Sequence, residues 1–321
     1  MALKLRPSNY FHQPTAMTAD NREANPANIL YKLEHLAAIE VTGEDASPFL
    51  QGQLTCNINE ITDTKASIAA FCNPKGRVIS TLLIIKTQPG YILLLPRSLS
   101  EKVLTKLRIY VLRSKVHLTD KNDLLMLWGL YRPDPMEGFS LPDVDFHCSS
   151  NETLICIKLP SPAPRFLCIT PAQAGPHPFA ENFNHGSCDE WRYGDISAGL
   201  PWFEAEQSEQ YIPQMLTIDQ LGGVSFDKGC YTGQEIVART HYLGKAKRHL
   251  FLAECNRCLR QASDFAVKDA ETQEKLGDIL TMQALGGTTR LLLVLQTVDG
   301  ETKNLILDDL EHTPLTLTPF K

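Results

Sequence analysis

Lys228-Gly229-Cys230-Tyr231-Thr232-Gly233-Gln234-Glu235 is the stretch of this chain whose residue types, at close spacing, can do chemistry. Two glycines bracket a cysteine, and a lysine stands two positions before the thiol. Glycine permits close backbone approach and positive φ on either side of Cys230. The Lys228 ammonium and the first N–H groups of a following helix would both favour a thiolate over a thiol. Cys230 is therefore a candidate reactive thiol tuned by Lys228, in a loop shaped by Gly229 and Gly233. Gln234, Glu235 and Arg239 would orient that loop or bind a polar ligand. A plainer alternative stays open: a Gly-rich turn whose cysteine fills a small apolar gap, since free cysteine is among the most buried residue types.

The flanking sequence must position this loop. Helical spacing of Ile236 and Val237 predicts a helix from about Gln234 to Tyr242 with both residues facing inward. Pro213 is suited to the first position of another helix running to Leu221. Ser187-Cys188-Asp189-Glu190 reads as a capping box opening a helix that carries Trp191, Arg192 and Tyr193. Further upstream, Leu36–Val41 reads as a strand, followed by a cap signature at Thr42 and Asp45 and a short helix ending at Gln51-Gly52-Gln53. Asn73-Pro74-Lys75-Gly76 is a tight-turn sequence, and the runs 77–85 and 91–95 form a hairpin through Thr87-Gln88-Pro89-Gly90. A helix follows Ser98 or Ser100, with strands at 124–131, 154–159 and 165–170.

Strands run together here rather than alternating with helices, so the fold class is α+β. The expected organisation is a polar, flexible arm over 1–28, a domain from 29–60 plus 187–247 carrying the Gly-Cys loop, a mixed-sheet domain over 61–186, and a small antiparallel β-barrel over 248–321.

The net charge of −6 argues against a broad, direct nucleic-acid surface, because phosphate binding relies on clustered lysine and arginine. No run approaches the roughly 18 apolar residues of a membrane span. The nine cysteines are odd in number and follow no framework, which suits a reducing compartment. Cys255-Asn256-Arg257-Cys258 is a lone CxxC without a second pair, so no metal site is assigned.

The octapeptide resembles the K-G-C-Y/F-x-G-Q-E signature of the YgfZ-type folate-binding proteins. The likeness extends to Val41-Thr42-Gly43-Glu44-Asp45, Phe49-Leu50-Gln51-Gly52-Gln53, Asn73-Pro74-Lys75-Gly76-Arg77, Trp191-Arg192 leading to Ala198-Gly199 and Pro201, and Ile212-Pro213-Gln214. That family is similar in fold to the T protein of glycine cleavage, so the resemblance implies a three-domain aminomethyltransferase-like fold around a central channel that takes tetrahydrofolate or a derivative. It implies a folate site with Trp191 and Tyr231 as aromatic walls and Gln214 beside them. In the aminomethyltransferases a pair of aspartates follows the Gly turn; Ser80 and Thr81 stand there in this chain, and hydroxyls cannot stabilise an iminium-like cation as carboxylates do.

The expectation is thus a cytoplasmic protein, or a mitochondrial-matrix one in a eukaryote. It would bind tetrahydrofolate and support iron–sulfur enzymes or cluster-assembly proteins, including those of tRNA thiomethylation, with little or no turnover of its own. The alternative is a folate-dependent one-carbon transferase or demethylase with Asp45, Glu204 or Glu235 as base. A folate-independent scaffold is a third.

Overall fold

The structure is a computed structural model that describes residues 28–136, 138–174, 183–244, 246–259, 265–296 and 304–320. Apart from Asn28, the expected N-terminal arm lies outside the described residues.

A five-stranded antiparallel sheet forms the centre. It contains β2 (Leu36–Thr42), β3 (Ser67–Cys72), β4 (Val78–Lys86), β5 (Gly90–Pro96) and β6 (His117–Asp120), in the order β3-β4-β5-β2-β6. Its inner strands are almost continuously apolar, as expected of a sheet buried on both faces. Alternation along the strand sends Leu82 and Ile84 into one core and Leu83 and Ile85 into another. The first core is closed by α1 (Ala46–Gln53) and α2 (Ser100–Val111), through Phe49, Leu50, Val103 and Leu107, and by residues of the barrel.

The second core lies against a six-stranded sheet of β1 (Ile29–Lys32), β7 (Leu125–Tyr131), β8 (Cys148–Ser150), β9 (Ile155–Lys158), β10 (Arg165–Pro171) and β11 (Asn184–Gly186). The order is β11-β1-β7-β10-β9-β8, and β1 and β11 are its parallel pair. The strands expected in one domain over 61–186 are therefore divided between two sheets. The three residues Leu33–His35 carry the chain from β1 into β2 and thus from one sheet to the other. Apolar periodicity marks strands without naming their partners.

The barrel closes as expected, from β12 (Arg248–Cys255), β13 (Ala266–Asp269), β14 (Lys275–Leu285), β15 (Thr288–Gln296), β16 (Leu305–Leu307) and β17 (Pro314–Thr318). Two helices complete the fold, α3 (Cys188–Ser197) and α4 (Gln234–Leu243). The capping box at Ser187 and Glu190 is present with both hydrogen bonds. By contrast, Pro213 opens only a 3-10 turn to Leu216, because Thr217 adopts a left-handed conformation at φ 55° and breaks the helix there. Asp45 caps α1 without a side-chain bond to it; its carboxylate accepts instead from the Lys115 N–H at 2.8 Å. On α4, Val237 faces inward, whereas Ile236 is partly exposed.

Glu209 ties the Asn73–Gly76 turn to α2. Its carboxylate accepts from Asn73 Nδ2 at 2.7 Å and pairs with Lys102 at 3.0 Å and Lys106 at 3.4 Å. The Asn73 hydrogen bond, reinforced by the two lysines, lowers the Glu209 pKa to about 2. A depressed carboxylate contributes stability above its unfolded pKa of 4.5 and loses it as pH falls toward 2. Glu209→Gln is expected to lower Tm by about 1–2 °C at pH 6, allowing for solvent screening. Calorimetry should show that gap closing as the pH is taken from 4.5 to 2.

Candidate functional site

The Lys228–Glu235 loop is clamped between the end of α1 and the Asn73–Gly76 turn. Lys228 is buried, and its ammonium donates to the carbonyls of Leu54 at 2.6 Å and Cys56 at 2.7 Å while standing 5.0 Å from the Tyr231 ring. The Thr232 N–H donates to the Gly52 carbonyl at 3.2 Å. The Gly52 carbonyl in the last turn of α1, which lacks a helical partner, is thereby satisfied, and Lys228 does the same for the segment that follows the helix. Burial lowers the Lys228 pKa to about 8. The lysine expected to tune Cys230 thus has its donors committed to the α1 terminus and acts as an anchor for the loop.

The two glycines differ. Gly233 caps α4 at φ 83°, and a Cβ there would come within 2.5 Å of the Asn73 carbonyl oxygen and 2.9 Å of Gly76 Cα. Gly76 in turn has φ 68°, and a Cβ on it would meet Ile236 Cβ at 2.9 Å. The two signature turns touch because neither has a side chain. Gly229 has ordinary φ, and a Cβ on it meets nothing within 4 Å.

Cys230, between them, is exposed, as are Glu235 and Arg239, while Gln234 is half-buried. Tyr231 is buried, burial raises its pKa, and its hydroxyl has no partner among the described residues. Gln214 braces α4 from below by donating to the Val237 carbonyl at 2.7 Å. A cleft of about 400 Å³ adjoins the loop, bordered by Asn57, Phe146, Phe226, Lys65 and three carboxylates, Glu60, Asp145 and Asp227.

The larger cavity, of about 640 Å³, lies elsewhere. Its floor is one face of the six-stranded sheet. Strand register places Ile29 beside Tyr131 and Asn184, Tyr31 beside Gly129 and Gly186, and Arg165 beside Tyr131. Helix α3 covers this face, with Trp191 fully buried and its ring 5.5 Å from that of Tyr31. A Cβ on Gly129 would stand 2.4 Å from Trp191, and one on Gly186 would stand 2.2 Å from Tyr31, so both glycines make room for these rings. Arg165 lies 4.0 Å from the Trp191 ring and donates to Asp195 at 2.6 Å and to the Trp191 carbonyl at 3.0 Å. Burial raises the Asp195 pKa and Arg165 opposes that shift. Burial, aided by Glu190, raises the Tyr31 hydroxyl to about 12. The barrel supplies Leu285 and Arg290 to the cavity, and Arg290 lies 4.4 Å from the Tyr193 ring and bonds Ser197.

Trp191 therefore lines the large cavity, while Tyr231, Gln214 and Cys230 do not. The second aromatic wall is Tyr31. Ser80 and Thr81 are fully buried and bonded to the carbonyls of Thr81 and Pro201, away from this cavity. In the CxxC, Cys255 is buried and Cys258 exposed, and no group of three or more His, Cys, Asp or Glu side chains among the described residues is arranged to hold a metal. Reading by motif missed Tyr31, Arg165 and Arg290, which come from distant strands. The usable signal was Gly129 inside the apolar run 125–131, since an isolated glycine in a strand marks a close approach.

The cavity has aromatic walls, a volume within the usual range of about 300–1,000 Å³ for small-molecule sites, and three arginines, of which Arg165 is paired to Asp195 and Arg290 lies 3.7 Å from Glu254.

No protein-family model matches the sequence. The chain is 30% identical over 302 residues to the tRNA-modifying protein YgfZ of Enterobacter sp. (strain 638), covering 91% of this chain and 93% of that one. The crystal structure of the glycine cleavage system aminomethyltransferase T from Bartonella henselae superposes with a TM-score of 0.67 at 12% identity, over 91% of this chain and 86% of that one. The second likeness establishes an aminomethyltransferase-like fold.

Gly233→Ala should destabilise the protein by about 2 kcal/mol or more, from a left-handed Ala and a backbone clash. Gly229→Ala should change stability by less than about 0.5 kcal/mol. Urea unfolding of the pair checks both.

Proposed function

The chain belongs to the YgfZ family, and from that membership we propose that it binds tetrahydrofolate or a derivative and acts as an accessory to iron–sulfur enzymes, including those of tRNA modification. The observation that carries the folate part is the cavity: it is lined by four aromatic residues, of which Tyr131 and Tyr193 are half-buried and Trp191 and Tyr31 are packed at its inner end, and by Arg132, Arg165 and Arg290, with Arg165 paired to Asp195. The cleft beside the Gly-Cys loop is less suited, because its three carboxylates would repel a carboxylate ligand.

Folate bound here would present an electron-rich amine able to carry one-carbon groups. This chain's own residues bind and orient it. The Arg165–Asp195 pair fixes the height of Trp191, and α3 and the barrel shield the stacking face from water. Transfer chemistry finds little support. Asp45 accepts from Lys115, and Glu204 accepts from Ser98 and Arg192 outside the cavity. Glu235 is exposed on α4.

Cys230 is the chemical group left for the accessory role. It is displayed to solvent on a turn that Lys228 and Gly233 make rigid, a geometry suited to meeting a thiol, a disulfide or an iron centre on another protein. Because the loop does not line the folate cavity, the two functions should separate by mutation.

Titration with 5-formyltetrahydrofolate should quench tryptophan emission saturably in wild type, and Trp191→Phe should remove most of that response. Cys230→Ala should bind the folate within about twofold of wild type yet fail to restore tRNA thiomethylation in a deletion strain. Full rescue by Cys230→Ala would remove the thiol from the proposal, and a flat titration would remove the folate.

A further inference from the structure

Cys156 on β9 and Cys168 on β10 stand directly opposite each other, as register partners of an antiparallel pair. Both thiols are fully buried, and their sulfurs lie 2.6 Å apart. The register also fixes the kind of site. The Leu159 N–H donates to the Arg165 carbonyl at 2.9 Å, so residues 159 and 165 form a hydrogen-bonded pair, as do 157 and 167 two positions on. Cys156 and Cys168 therefore occupy the next, non-hydrogen-bonded pair, where opposed Cα atoms approach to about 4.5 Å. That separation lies within the range of a disulfide, and sulfurs already in contact need move only about 0.5 Å to reach the bond length of about 2.05 Å.

Cys148, on the neighbouring strand β8, does not compete for this position, because it points through the opposite face of the sheet into the core that holds Ile157 and Trp191. Cys156 and Cys168 belong to a small cluster on the outer face with Leu130 and Phe166, closed over by Met136 and Phe139, which are only partly buried. A thiolate is costly in that apolar setting: burial and the neighbouring Cys156 both push the Cys168 thiol up. A disulfide carries neither a charge nor an unused S–H donor.

We propose that Cys156 and Cys168 are a redox modification site, joined as a cross-strand disulfide when the protein meets a hydroperoxide. One sulfur, as thiolate, attacks a peroxide oxygen; the O–O bond breaks, leaving a sulfenic acid and a hydroxide that takes up the released thiol proton as water. The second sulfur then attacks the sulfenic sulfur, the S–S bond forms, and the hydroxyl leaves with the second thiol proton as water. With hydrogen peroxide, two thiols and one peroxide give one disulfide and two waters, and two electrons pass from sulfur to oxygen. The new bond pins β9 to β10, the strand whose other face carries Arg165. It involves neither Cys230 nor a bound folate.

The test is peptide mapping of the folded, full-length protein after treatment with hydrogen peroxide and alkylation of the remaining thiols. Trypsin with a glutamate-specific protease places the two cysteines on separate peptides, 153–158 and 166–181, each free of any other cysteine. These peptides should appear linked, lighter than their sum by two hydrogens, and should separate with dithiothreitol. The exposed Cys230 and Cys258 react first and report that the peroxide has acted. Reducing the oxidised wild type should lower Tm by about 2–5 °C, and Cys168→Ala treated in the same way should show no such drop. Free thiols at 156 and 168 after Cys230 and Cys258 are oxidised, or Cys156 linked to Cys148 instead, would overturn the assignment.

Discussion

Arg165 is a charged side chain with almost no exposure, wedged between the Trp191 ring and the backbone of Gly194 and paired to Asp195. A buried ion pair contributes little net stability against an apolar alternative, but losing one partner costs about 3–5 kcal/mol. Its consequence is therefore geometric. The pair locks β10 to α3 at one height, which sets Trp191 over Gly129 and opposite Tyr31. The barrel then seats on the same helix through Tyr193–Thr288 and Arg290–Ser197. The cavity and helix α3 meet at this contact, while the barrel is held both by α3 and by the first core, through residues such as Leu250, Leu280 and Leu292.

Much of the fold was legible locally. The capping box at Ser187 and Glu190 formed because both partners lie within one turn, and the hairpin of β4 and β5 formed because its register is set by a short loop. The closed barrel was legible as a run of short strands. Sheet membership was not, since β1 and β2 lie three residues apart and yet enter different sheets. Pro213 was suited to a helix, but Thr217 ended it after one turn.

The candidate site was half legible. The glycines and cysteine of the loop were visible as residue types, yet the task of Lys228 was not, because its carbonyl partners lie more than 170 positions away in sequence. Trp191 was visible, whereas Tyr31, Arg165 and Arg290 came together only through sheet register and barrel docking. Tyr231, expected as a second aromatic wall, lies outside the large cavity and has the Lys228 ammonium 5.0 Å from its ring.

A cavity on the six-stranded sheet, proposed to take folate, is thus separate from the thiol displayed on a loop anchored to α1. The most direct test is a crystal structure of the protein grown with 5-formyltetrahydrofolate. The account predicts the ligand in the cavity lined by Tyr31, Tyr131, Trp191 and Tyr193, with the Lys228–Glu235 loop unmoved. A folate seated in the cleft of Asn57, Phe146 and Phe226, or contacting Cys230, would contradict it.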